Sequence, residues 1–273
     1  TDIRDTFEVL VLAVIEQILI GNAASPLRKA LMDSQLGTAL SDGTGFDAEN
    51  RDTMFAVGLK DVTADDAEKV ERIVFDVLEG LVEAGIDPEL VESAIHQIEF
   101  HRKEVTNTPF PHGIKLLVGV SASWLHGGDP QRILQLDADF ERLRKALAEG
   151  PFLENQIRVH FVDNPHRVRF TLAPDQKMAE QENQRVKAEL AARLAAMDEA
   201  DLKRLREDAA ALAKLQETHE NLACLPTLQR EDIPPDVVRI DPARELSQAP
   251  VWVYPQPTSG IFYFSGVLGA GHI

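Results

Sequence analysis

The chain has 273 residues, enough for one large domain plus an appendage at about 100 to 200 residues per domain, and enough to bury a core. Its 45 acidic and 28 basic side chains leave a formal charge of −17, which repels a phosphate backbone and excludes nucleic acid as an expected partner. The same charge keeps the chain soluble and suits cationic partners such as basic peptides.

Phe7 to Ile20 is the longest apolar run, but it contains Glu8 and Glu16 and is shorter than the roughly 20 residues a bilayer span needs, so no membrane partner is expected. Phe7, Leu10, Val11, Val14, Ile15, Ile18 and Leu19 repeat at helical spacing around more than half the circumference, which predicts a helix covered on most sides. The chain opens on Thr1 with neither a methionine nor a signal-peptide pattern, so its native start is expected upstream.

Ser25-Pro26, Asp87-Pro88 and Asp129-Pro130 each join an N-cap side chain to a proline at the first helical position, and predict three helix starts. Met54 to Lys60 reads as one strand after a Gly43, Gly45 loop. Thr63 caps a helix to about Ala84, with Ala67, Val70, Val74, Val77, Leu78 and Leu81 inward and Glu68, Lys69, Glu71 and Arg72 in water. The next helix turns Val91, Ala94, Ile95 and Ile98 inward, and further helices are predicted over 113–125, 140–149 and 152–162. His166 to Leu172 alternates Val168 and Phe170 with Arg167 and Arg169, which predicts a second strand.

After Pro174 glycine and proline almost vanish, and Gln176 to Leu222 predicts a hairpin of two antiparallel helices. In it Leu190, Leu194 and Met197 are expected to meet Leu202, Leu205, Leu212 and Leu215 across a turn at Asp198. A proline-marked extended segment runs from Leu225 to Pro250, and Val251–Tyr254 and Ile261–Val267 then predict a β-hairpin through residues 257–260. A hairpin without neighbouring strands is an aggregation hazard, so the native chain is expected to continue. The fold class is α+β, a mostly antiparallel sheet with helices on one face, then a long helical hairpin and the start of another α+β domain.

Each motif with catalytic potential fails on spacing. In His96-Gln97-Ile98-Glu99-Phe100-His101 the second histidine comes one residue too late for an inverted zinc motif. At about 100° per residue His101 lies about 140° around the helix from His96, and Phe100 occupies the ligand position. Gly119-Val120-Ser121-Ala122-Ser123 is predicted helical and lacks the strand that precedes a nucleophile elbow. Residues 42–47 carry too few alternating carboxylates for calcium and read as a turn. His126-Gly127-Gly128-Asp129 lacks a phosphate-loop lysine and reads as a helix stop followed by a cap. Cys224 is the only cysteine, which rules out an intrachain disulfide and a multi-thiolate zinc site and fits a reducing compartment; with no histidine or cation adjacent in sequence, it reads as inert. No catalytic or metal residue is therefore assigned, and substrate-binding residues are left unassigned.

Several blocks, in order, resemble the presequence-protease branch of the pitrilysin and insulinase-type zinc metallopeptidases. They are Leu19 to Leu31 with Ser34-Gln35-Leu36-Gly37, Asp87 to Leu90 with Ala94 to Phe100, Ser123 to Pro130, Asp163 to Val168, Leu225 to Leu228, and Asp232-Ile233-Pro234. The resemblance implies a clamshell of two halves, each with two α+β domains, joined by a helical hairpin. It assigns 1–174 to a second domain lacking its first strand, 175–250 to the hairpin linker and extended segment, and 251–273 to the first hairpin of a third domain. It further implies zinc held by an upstream catalytic domain and none in this segment, short unfolded peptides as substrates, and a bacterial cytoplasmic or mitochondrial matrix location. The partners it implies are that N-terminal catalytic domain and a C-terminal half. The rival expectation is a catalytically inactive scaffold or subunit of the same fold.

Overall fold

The computed structural model describes residues 1–218, 222–233, 235–236, 241–246 and 251–267. Two compact units divide the chain, one of residues 1–171 with 256–273 and one of residues 172–255.

In the first unit Asp5 accepts the Glu8 backbone N–H at 3.0 Å and starts α1 (Thr6–Ile20). Phe7, Leu10, Val11, Leu12, Val14, Ile15, Ile18, Leu19 and Ile20 are all buried, so the helix is enclosed as its periodicity predicts. Its covers are α2 (Pro26–Asp33), β2 (Gly45–Asp47), α4 (Pro88–Lys103), α6 (Leu136–Glu149) and α7 (Phe152–Ile157). α3 (Ala67–Ala84) packs on α2 and α7, with Val70 and Leu78 buried and Val74, Val77 and Leu81 against the core. α5 (His112–Trp124) exposes Ile114, Leu116, Leu117 and Val118.

Two of the three helix starts are α-helical. Pro26 opens α2 after a fully buried Ser25, whose hydroxyl donates to the Gln17 carbonyl and accepts the Asn22 N–H. Asp87 accepts the Glu89 N–H at 2.9 Å and opens α4. The third differs: Asp129 accepts the Gln131 N–H at 2.9 Å, but the chain enters a 3₁₀ turn, Arg132–Leu134, before α6 begins at Leu136.

The expected strand Met54 to Lys60 runs along a partner whose glycines suggest a loop. β3 (Met54–Ala56) pairs antiparallel with β2, Phe46 opposite Phe55, and β4 (Leu59–Lys60) pairs with β1 (Ala39–Leu40). Residues 41–44 bulge opposite Val57 and Gly58, closed by the Thr44 N–H on the Ser41 carbonyl, so one hairpin is split into two short ladders. Gly37 is required beside it, since a Cβ there would lie 2.4 Å from the Lys60 carbonyl oxygen. Phe55 stacks edge-on against Phe161 at 4.8 Å, in the π-helical turn Arg158–Val162 that follows α7.

The strand expected at 166–172 does not form. Arg167 lies over the Phe75 ring at 4.4 Å, and Arg169 pairs with Glu71 at 2.9 Å and Glu68 at 3.5 Å. These contacts turn the arginine side onto α3, and no strand lies alongside among the described residues, so Val168 and Phe170 face outward instead of inward.

In the second unit α8 (Met178–Ala195) and α9 (Glu199–Glu217) flank a turn where Asp198 accepts the Asp201 N–H at 2.8 Å. The leucine contacts expected across this turn are not made along the helices. Leu190, Leu194, Leu205, Leu212 and Leu215 are exposed, and only Met197 and Leu202, next to the turn, are half-buried. Each helix is supported by its own ion pairs, Arg185 with Glu182 and Glu189, Arg193 with Glu189, and Arg204 with Asp201, in alanine-rich sequence that favours helix. The expected pairing of 251–254 with 261–267 is also replaced. β6 (Val251–Val253) pairs antiparallel with β5 (Arg244–Leu246), and Pro255 and Pro257 remove the donors that would extend it. Ile261–Val267 forms no strand. Residues 219–221, 234, 237–240, 247–250 and 268–273, parts of the expected linker and terminal hairpin, lie outside the described residues.

Candidate functional site

α4 carries the sequence that comes nearest to a zinc motif, and its packing fixes where each group points. Ala94 and Ile95 are buried against α1, and Gln97 accepts a hydrogen bond from Gln17 of that helix at 2.5 Å. His96 is exposed, while the His101 ring nitrogen Nδ1 lies 2.7 Å from the Gln97 carbonyl. Glu99 is held between Lys103 at 2.8 Å and Arg144 of α6 at 2.6 Å; its bond to Lys103 first, then that to Arg144, hold its carboxyl below the ordinary range. The two imidazoles and the carboxylate therefore do not converge. Among the described residues no group of three His, Cys, Asp or Glu side chains could hold a metal, so these residues do not fit the zinc implied by the resemblance.

The other singled-out segments are structural. Ser123 is buried near the end of α5, its carbonyl accepting the Gly128 N–H at 3.0 Å. Gly127, at φ +82°, makes the left-handed stop. Residues 42–44 belong to the turn between β1 and β2, and Cys224 is exposed.

A cleft of about 530 Å³ that sequence reasoning missed is lined by Asp2, Arg4, Asp5, Thr6, Phe7, Arg132 and Arg142. Arg4 forks onto Asp2 at 2.8 and 2.6 Å, and its side chain, then its backbone N–H, hold the Asp2 carboxyl far below the usual carboxylate range. Asp139, only 4% exposed, binds Arg132 and accepts the Thr6 hydroxyl at 3.2 Å. Arg142 lies 3.7 Å over the Phe7 ring. Every carboxylate named here except Asp5 is tied to a cation, and Thr6 is committed to Asp139, so no nucleophile stands beside an available base. No local pattern could have announced the cleft, because its residues come from three separate parts of the chain.

Two family descriptions match. "Peptidase M16 inactive domain" covers residues 1–98, and the description of the domain associated with the C subfamily of M16 peptidases covers residues 172–273. The chain belongs to the M16 peptidase family. Within it the similarity is to the presequence-protease branch. "Presequence protease, mitochondrial" of Xenopus laevis is 32% identical over 271 residues, which cover 98% of this chain and 26% of that protein. "Presequence protease 1, chloroplastic/mitochondrial" of Arabidopsis thaliana is 34% identical over 235 residues, 82% of this chain and 21% of that protein. "Protein HypA" of Clostridium perfringens is 31% identical over 242 residues, 88% and 25% respectively. The chain thus spans about a quarter of the length of the curated relatives it matches. Among the described residues no helix is long and apolar enough to cross a membrane.

Proposed function

We propose that this chain is the non-catalytic chamber-wall and hinge segment of a zinc metalloendopeptidase that degrades short unstructured peptides such as presequences. The observation that carries this reading is similarity along 98% of the chain to a presequence protease about four times as long, joined to a match over residues 1–98 with the family's inactive domain. In this reading the zinc and the general base belong to an upstream catalytic domain, and the first unit and the α8–α9 pair act as wall and hinge beside a C-terminal half. The surplus negative charge suits basic peptides, and the compartment is the bacterial cytoplasm or the mitochondrial matrix.

The test is cleavage of a quenched fluorescent basic peptide by the longer polypeptide, before and after zinc chelation. Chelator-sensitive turnover is expected. A longer polypeptide that folds and binds no zinc would instead identify an inactive scaffold of the same fold.

A further inference from the structure

The segment His166–Thr171 has the chemistry of a strand and none of its neighbours. Arg167 and Arg169 fix it to α3 through Phe75, Glu71 and Glu68, while Val168 and Phe170, on the alternate side, are 88% and 81% exposed. From Val168 to Thr171 no backbone N–H or C=O has a partner among the described residues; the last such bond upstream is the Arg167 N–H on the Pro165 carbonyl. An open cleft of about 390 Å³ lined by Ala64, Asp65, Ala67, Glu68, Arg169 and Thr171 runs beside it. Unpaired backbone with apolar side chains at alternate positions is the surface that strand addition covers.

We infer that His166–Thr171 is a docking edge for an extended strand of the same polypeptide lying outside residues 1–273. The occupant follows from length: the relatives that align along nearly the whole chain are about four times as long, so most of such a polypeptide is available to supply it. Pairing would satisfy the open backbone, and apolar residues at alternate positions of the added strand would lie beside Val168 and Phe170. Arg167 and Arg169, already held by α3, keep the edge extended.

The inference shares with the proposed function only the premise of a longer polypeptide, and its readout is amide exchange, so a catalytically dead parent and an undocked edge give different results. Hydrogen exchange of residues 166–171 is compared in this chain and in the longer polypeptide. The expected result is rapid exchange here and protection of about 100-fold in the longer polypeptide, independent of concentration. Phe170→Lys in the longer polypeptide is expected to abolish that protection and Phe170→Leu to keep it, with unchanged protection of α1 certifying the fold. Rapid exchange in both proteins overturns the inference. So does protection in this chain that grows with its concentration, which marks a second copy, or that arises only on adding a basic amphipathic peptide, which marks a free ligand.

Discussion

Glu16, a carboxylate in the most enclosed helix of the first unit, accepts the backbone N–H of Phe46 at 3.0 Å. It ties α1 to β2 at the point where β2 begins, and explains an acid within an otherwise apolar run. Glu16→Ala is expected to cost about 1.5 to 3 kcal/mol in denaturant unfolding, because a charge-assisted bond is lost and a donor is stranded. Glu16→Gln keeps an acceptor and is expected to cost less.

Leu143 on α6 is fully buried in the core around α1. Leu143→Ala is expected to destabilise the first unit by about 2 to 5 kcal/mol, read from the midpoint of urea unfolding at unchanged slope.

Glu99 gives a pH dependence with a definite sign. Its folded pKa is lowered by Lys103 and then Arg144, so its stabilisation is present above the unfolded carboxylate pKa of about 4.3 and is lost as pH falls through the folded value. Wild type should therefore exceed Glu99→Gln by about 0.5 to 1 kcal/mol near pH 7, with the two converging in acid. A difference that persists at pH 2 would mean the variant acts through packing.

The exposed leucines of α8 and α9 make the opposite prediction to a packed hairpin. Leu194→Ala and Leu205→Ala are each expected to change stability of this chain by less than about 0.5 kcal/mol. Costs above about 2 kcal/mol would show that the helices bury these side chains against each other.

Local chemistry was legible where it acts alone. Asp87-Pro88 starts α4, and the apolar stripe of α1 is enclosed as its periodicity requires. Pairing was not legible, because it depends on which segments meet. Residues 39–47 carry glycines that suggest a loop, yet they form the arm opposite Met54–Lys60. The alternation at Val168 and Phe170 has the pattern of a strand, but its facing is the reverse of the expected one because Arg167 and Arg169 bind α3. The leucines of α8 and α9 have a pattern that suits packing, and local ion pairs let each helix stand without it. At α4, the failed spacing of His96 and His101 was visible from helix geometry, whereas the arginine-lined cleft depends on a buried Asp139 that no neighbouring residue signals.

The most direct measurement pairs a zinc titration of this chain with an assay of its cleavage of a quenched basic peptide at saturating zinc. The account predicts no stoichiometric zinc and no turnover above the peptide's own hydrolysis. One equivalent of zinc lost in His96→Ala, together with turnover that a chelator abolishes, would contradict it.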